Sequence, residues 1–147
     1  VMSLRDGSKK MSKSDPSDYS RIMLTDTADN IAQKIKKAKT DPQPLPSTKE
    51  DLKQRPEAEN LISIFASLQN SSIENVISEY AGKEFSDFKR DLIDLSVSKL
   101  GPITTEMNKL MTDTSYIDSV LNDGKDKAIN VAEPVLRKTK EIIGFLS

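Results

Sequence analysis

The 147-residue sequence contains no cysteine and no histidine. Without cysteine there is no disulfide scaffold and no thiolate metal site, and we expect no metal ion held by protein side chains. No apolar run approaches the ~18 residues of a membrane-spanning helix, so no membrane partner is expected. There is also no G-x-G-x-x-G, no Walker loop and no alternating strand–helix pattern, so a complete small nucleotide-binding enzyme is not indicated.

The composition indicates a polar globular protein. Apolar residues make up 35% of the sequence and charged residues 31%, which is outside the range typical of disordered chains. Residues 1–55 hold 12 Lys or Arg and 8 Asp or Glu, whereas the remainder hold 10 and 15. The basic first third is compatible with phosphate binding. The acidic remainder argues against a broad grip on nucleic acid, and DNA is not expected as a partner.

After residue 25 the spacing of apolar residues is helical, and no strand is indicated. The pattern predicts a first helix over 27–39 with Asp26 as its N-cap. A second helix is predicted to start at Pro56, and a third at the capping box formed by Ser71 and Glu74. Two longer helices are predicted over 86–111 and 115–145. We therefore expect an all-α bundle of about five helices, preceded by an N-terminal loop segment.

Some residues of these helices have more specific expectations. The aromatic residues Phe65, Tyr80 and Phe88 fall on apolar helix faces and should lie in the core. Prolines should kink or split the two long helices at Pro102 and Pro134. The last helix carries an apolar stripe that runs from Ile117 to Leu146. Between the first and second helices, residues 40–55 contain three prolines and should form a loop.

The first helix ends in a group of lysines: Lys34, Lys36, Lys37 and Lys39. Cations near a helix C-terminus interact favourably with the helix dipole. A run of charge is usually a solvated face, and that is one interpretation here. The other is a contact with an RNA backbone.

The most distinctive stretch of the sequence is K-M-S-K-S, at Lys10, Met11, Ser12, Lys13 and Ser14. Serines within it, Gly7 before it and Pro16 after it predict a mobile loop. Each lysine supplies a compact positive charge with three donors, and serine hydroxyls and backbone N–H groups add further donors. The residue types therefore suit a phosphate-binding loop.

These five residues match the signature loop of the class I aminoacyl-tRNA synthetases. Their flanks, M-S-L-R-D-G at 2–7 and S-R-I-M-L-T-D at 20–26, resemble the bacterial-type tryptophanyl-tRNA synthetases. The resemblance continues strongly at 34–38 and 40–41 and, more loosely, at 60–61, 124, 127–128 and 143–145. That family also needs a histidine-containing signature, which this sequence lacks. The chain is therefore expected to be the C-terminal part of such an enzyme, with the strand-rich nucleotide-binding half absent.

The resemblance implies a function for each part of the chain. In the family, tryptophan is activated with ATP and Mg²⁺ and then transferred to tRNA(Trp). It implies that Lys10 and Lys13 are catalytic and that Lys10–Ser14 bind ATP through its pyrophosphate end. Residues 1–25 would be the loop and connector of the catalytic domain, and 26–147 the anticodon-binding domain. The resemblance also implies a homodimer in the cytoplasm or an organelle matrix, and no activity from this chain alone.

Two other interpretations stay open. The chain could be a free-standing helical module that binds RNA or a protein partner without catalysis. It could also come from the tyrosine-specific relative, which shares the fold and the chemistry. The residues that would form an amino acid pocket are not among those that carry the resemblance, so the sequence does not show the specificity directly.

Overall fold

The computed structural model describes residues 1–145. The chain divides into two compact units, Val1–Met107 and a second from residue 108 onward. The first unit starts with a two-stranded antiparallel sheet of β1 (Met2–Ser3) and β2 (Asp6–Lys10), followed by a 3₁₀ turn at Asp18–Ser20. The predicted all-α class is confirmed, because this hairpin is the only sheet among the described residues.

Six α-helices follow the hairpin within the described residues. They are α1 (Ala28–Lys36), α2 (Lys49–Lys53), α3 (Pro56–Gln69), α4 (Ile73–Tyr80), α5 (Phe85–Thr112) and α6 (Thr114–Ile143). The short helix α2 lies inside the stretch predicted to be a loop. Its N-cap is Thr48, whose side chain accepts a hydrogen bond from the Asp51 N–H over 3.1 Å.

An aromatic cluster lies at the centre of the first unit. The ring centroids of Phe65 and Tyr80 are 5.3 Å apart, and those of Tyr80 and Phe88 are 4.9 Å apart. Both contacts are edge-to-face, the arrangement that the aromatic quadrupole favours. All three residues are buried, so the core predicted from the sequence is confirmed. The Tyr80 hydroxyl donates to Asp91 over 3.0 Å, which satisfies its polar end.

Two helix starts differ by one residue from the prediction. The N-cap of α1 is Thr27, whose hydroxyl accepts from the Asn30 N–H, and the predicted cap Asp26 has another role described below. The N-cap of α4 is Ser72 rather than Ser71, and it accepts from the Asn75 N–H. Each observed cap has the extended backbone that the position requires.

The two long helices run through their prolines. Helix α5 is not split at Pro102, and α6 is not split at Pro134. No side chain of α6 is buried, and the apolar stripe predicted for it is largely exposed. The last member of that stripe, Leu146, lies outside the described residues. Within residues 1–145, no helix combines the length and the apolar character needed to cross a membrane.

Candidate functional site

The K-M-S-K-S stretch begins at the end of the hairpin. Lys10 is the last residue of β2 and lies opposite Met2 of β1 in the strand register. One residue further, the Met11 N–H donates to the Val1 carbonyl over 3.4 Å. The segment predicted as loop and short turns therefore contains a strand pair, which is irregular between Met2 and Ser3, and the first lysine of the motif lies on β2.

Beyond Met11 the motif is held by its own serines. The Ser12 and Ser14 hydroxyls are 3.0 Å apart, and the Ser14 N–H donates to the Ser12 hydroxyl over 3.3 Å. Lys10 and Lys13 are both exposed. Among the described residues, neither ammonium group takes part in an ion pair. The motif thus presents two positive charges to solvent, together with serine hydroxyls as further donors.

The neighbouring lysine, Lys9, is engaged elsewhere. Its ammonium group lies 3.1 Å from the Asp6 carboxylate. The same carboxylate accepts from the Ser8 hydroxyl at 2.6 Å and the Ser8 N–H at 3.1 Å. The bond from the Ser8 side chain, followed by that from Lys9, lowers the pKa of Asp6 to about 2. The turn that precedes the motif is thus stabilised locally by an ionised carboxylate.

Helix α3 holds the opposite edge of the hairpin through Asn60. This asparagine is buried, with 5% of its surface exposed. Its side-chain oxygen accepts from the Met2 N–H over 2.9 Å, while its NH₂ group donates to the carbonyls of Met2 at 3.0 Å and Ser3 at 3.2 Å. The amide therefore occupies the edge of β1 that β2 leaves open.

Gly7 brings β2 against the start of the same helix. A Cβ atom at this position would lie 2.6 Å from the Glu57 nitrogen and closer still to the Pro56 carbonyl. Real Cβ contacts are essentially never that short, and the obstructing atoms are backbone. Glycine is therefore required here by close packing.

A buried lysine ties down the segment that follows the motif. The Lys34 ammonium group lies 2.8 Å from Asp18 and 2.6 Å from Asp26, and only 4% of its side chain is exposed. Burial alone would lower the pKa of Lys34, but the hydrogen bonds to the two aspartates outweigh it and the pKa is raised. The hydrogen bond from Lys34 in turn lowers the pKa of Asp18. This triad joins α1 to the 3₁₀ turn.

The lysines predicted to form one cluster at the end of α1 are therefore dispersed. Lys34 is buried, and the Lys39 ammonium group lies 2.8 Å from the Glu57 carboxylate. The Lys37 ammonium group lies over the Tyr19 ring, 4.4 Å from its centroid. Lys36 is exposed and borders an open cavity of about 640 Å³, also lined by Lys89 and Arg90. The interpretation of the four lysines as a solvated cluster is wrong for Lys34, because its side chain is buried.

The sequence-based prediction gives Asn60 no structural role and uses Gly7 only as a loop signal, although the sequence around Asn60 marks it as unusual. Asn60 is a polar residue on the apolar face of a helix, next to Leu61 and between Ala58 and Phe65. A buried amide of this kind must find hydrogen-bond partners. What the sequence does not show is that the partners come from the backbone 57 and 58 residues earlier.

Over residues 1–100 the sequence matches the family model described as tRNA synthetases class I (W and Y). This match covers most of the chain, and the chain belongs to that family.

Individual relatives give a narrower similarity. Proteins named tryptophan–tRNA ligase from Rhizobium meliloti (strain 1021) and Brucella suis biovar 1 (strain 1330) are 59% and 53% identical to this chain over 146 residues. Both alignments cover 99% of this chain and 41% of the relative. The chain thus spans about two-fifths of the length of the curated relatives it matches. The resemblance predicted from the motif and its flanks is confirmed.

The fold is also found among solved structures. The crystal structure of tryptophanyl-tRNA synthetase from Mycoplasma pneumoniae matches all of this chain and 46% of its own, with a TM-score of 0.76 and 24% sequence identity. At this identity the likeness supports the fold alone. This structural likeness also covers the helical part after residue 100, where the family match ends.

Proposed function

We propose that this chain is the C-terminal part of a tryptophan–tRNA ligase and that Lys10 and Lys13 act in its first chemical step. The observation that carries the proposal is the pair of exposed ammonium groups of Lys10, at the end of β2, and Lys13, three residues further on. They occur in a chain whose relatives are named tryptophan–tRNA ligase. The relatives' greater length supports the view that the rest of the active site comes from the same polypeptide.

In the proposed step, the tryptophan carboxylate attacks the α-phosphorus of ATP, which enters as its Mg²⁺ complex. The bond from the α-phosphorus to the bridging oxygen breaks, and pyrophosphate leaves with the bonding electrons. Negative charge therefore moves toward the β- and γ-phosphate oxygens in the transition state. Two ammonium groups aimed at those oxygens stabilise this charge without forming covalent bonds. Lysine suits the role because its ammonium group is a compact point charge with three donors.

The other residues of the motif supply hydrogen-bond donors and anchor the loop to the core. The Ser12 and Ser14 hydroxyls can donate to phosphate oxygens once the hydrogen bond between them is broken. Nearby backbone N–H groups can donate to the same oxygens. Met11 is half-buried and packs against the core, so it anchors the loop rather than contacting phosphate through its side chain. We assign Lys10–Ser14 as the ATP-binding loop on these grounds.

We further propose that the helical part, residues 26–147, binds the anticodon of tRNA(Trp) and that the complete enzyme is a homodimer. Exposed cations along α1 and α5 support a nucleic-acid contact, since Lys36 and Arg90 border the same open cavity. Bases splayed from a single-stranded loop stack on aromatic or Arg side chains. The overall negative charge of this part favours a local contact over broad binding.

The test is amino acid-dependent ATP–pyrophosphate exchange by the full-length ligase that carries this segment. We expect exchange with tryptophan and not with tyrosine. Lys10→Ala and Lys13→Ala should each lower the rate by about 10²–10³, the typical cost of one preorganised donor. The matched control is Lys9→Ala, which removes an adjacent lysine that pairs with Asp6 and should leave the rate close to wild type.

Each contrary outcome has a distinct meaning. Exchange with neither amino acid would refute the enzyme assignment and favour a non-catalytic RNA-binding module. Exchange with tyrosine alone would assign the tyrosine-specific relative. Tryptophan-dependent exchange that survives the double Lys10→Ala/Lys13→Ala substitution would remove the lysines from the mechanism.

A further inference from the structure

We infer that Asn60 is a positioning residue for Lys10: by holding β1 from the side opposite β2, it fixes the strand pair on which the first lysine of the motif stands. The inference rests on the proposed function for the identity of the step affected. It concerns a residue on the helical part of the chain, 50 positions after the lysine on which it acts.

The orientation of the Asn60 amide is set by its partners. On the β1 side it faces one N–H group, of Met2, and two carbonyl groups, of Met2 and Ser3. Only the arrangement with oxygen toward the N–H and NH₂ toward the carbonyls satisfies all three groups. The amide thus behaves like a neighbouring strand and completes the exposed edge of β1.

The connection from Asn60 to the motif passes through one residue. Met2 takes part in two of the three hydrogen bonds of Asn60, as donor in one and acceptor in the other, and is also the residue opposite Lys10 in the strand register. Any shift of Met2 along or away from α3 is therefore passed to the backbone of Lys10. The docking of Gly7 against Pro56 fixes the other end of β2 on the same helix.

The two lysines of the motif differ in this respect. Lys10 lies on the strand that Asn60 supports, whereas Lys13 lies beyond Met11 in a stretch with local bonds between Ser12 and Ser14. The positions of the two charges are therefore controlled separately. Asn60 sets the position of the Lys10 charge and leaves that of Lys13 to the loop and the nucleotide.

This asymmetry is measurable in a double-mutant cycle on the full-length ligase. We expect Asn60→Ala to lower kcat/KM for ATP in pyrophosphate exchange by about 10- to 100-fold, the scale of a misplaced catalytic group. In a Lys10→Ala background the same change should have less than about a twofold effect, because the group it positions is gone. In a Lys13→Ala background the full effect should remain. Tryptophan binding without ATP should be unchanged.

Two further variants separate positioning from general stability. Val76→Ala removes buried volume from α4 in the same compact unit without touching the hairpin, and it should leave kcat/KM per folded enzyme unchanged. Asn60→Asp keeps the shape of the side chain but directs a carboxylate oxygen at the two carbonyls. It should therefore reproduce the Asn60→Ala pattern in all three backgrounds.

The results that would overturn the inference are specific. Equal effects of Asn60→Ala in the Lys10→Ala and Lys13→Ala backgrounds would reduce Asn60 to a structural residue. An unchanged rate for both Asn60 variants would remove it from the mechanism altogether. Absence of exchange in the wild-type enzyme would instead refute the proposed function, so the two failures are distinguishable.

Discussion

At the scale of single residues, Gly7 has the strictest requirement in the hairpin. Its neighbour is the backbone of Pro56 and Glu57, which cannot move aside in the way a side chain can. Gly101, by contrast, lies inside α5 with open space where a Cβ would be. The same substitution should therefore have opposite effects at these two positions.

Gly7→Ala is expected to destabilise the protein by about 1–3 kcal/mol, the usual range for overpacking. Gly101→Ala is expected to stabilise it by about 0.5–1 kcal/mol, because alanine is the better helix former. Urea unfolding of the two variants beside wild type measures both values. A Gly7→Ala protein as stable as wild type would show that α3 and β2 do not approach as closely as described.

Asp6 provides a prediction for the dependence of stability on pH. Its folded-state pKa is about 2, below the ordinary value of 3.8, because the Ser8 side chain and Lys9 stabilise the ionised form. A depressed pKa means that the group stabilises the fold above pH 3.8 and that this contribution is lost as the pH falls through about 2.

An NMR titration of the Asp6 carboxyl carbon in the folded chain should give this value directly. Ser8→Ala should raise the pKa of Asp6 toward the ordinary value, since it removes the largest cause of the shift. Ser12→Ala, which alters a serine with no contact to Asp6, is the matched control. An ordinary pKa for Asp6 in the unsubstituted chain would contradict the hydrogen bonds described for this turn.

At the scale of the elements, the sequence predicts most helices but not the hairpin. Helices α1, α3, α4, α5 and α6 all carry apolar residues at helical spacing, and each is found near its predicted bounds. The hairpin is missed because β2 reads Asp-Gly-Ser-Lys-Lys, a composition typical of turns. Its pairing depends on Asn60 and on the fit of Gly7 against α3, which are distant in sequence.

The same limit applies to the candidate site. The motif and its two lysines are identified from the sequence, because the motif is defined by the type and order of its residues. The burial of Lys34 is not predicted, since its neighbours Lys36 and Lys37 are exposed and nothing local marks it as different. Its partners Asp18 and Asp26 lie 16 and 8 positions earlier, in segments that read as turns.

At the scale of the whole molecule, the two compact units differ in how much they bury. The first contains every buried residue among those described, whereas α6 in the second buries none. Isolated helices are marginally stable because each turn gains little without packing. The division of the chain into residues 1–25 and 26–147 by function stays a prediction, and the compact units follow a different boundary.

We expect backbone amides of α6 to exchange with deuterium well before those of α3 in the isolated 147-residue chain, since opening α6 exposes no buried core. Hydrogen exchange followed by mass spectrometry resolves the two helices. Equal protection at low protein concentration would contradict the prediction. Protection of α6 that increases with concentration would instead indicate that a second copy covers it.

The close approach at Gly7 also has a genetic consequence. Glycine codons are GGN, and any missense change in their first or second base produces a residue with a Cβ atom. Each such residue would place that atom against the Pro56 carbonyl and the Glu57 nitrogen. No single-base missense change in the codon for Gly7 is therefore expected to be neutral. We expect variation in this codon to be confined to its third base.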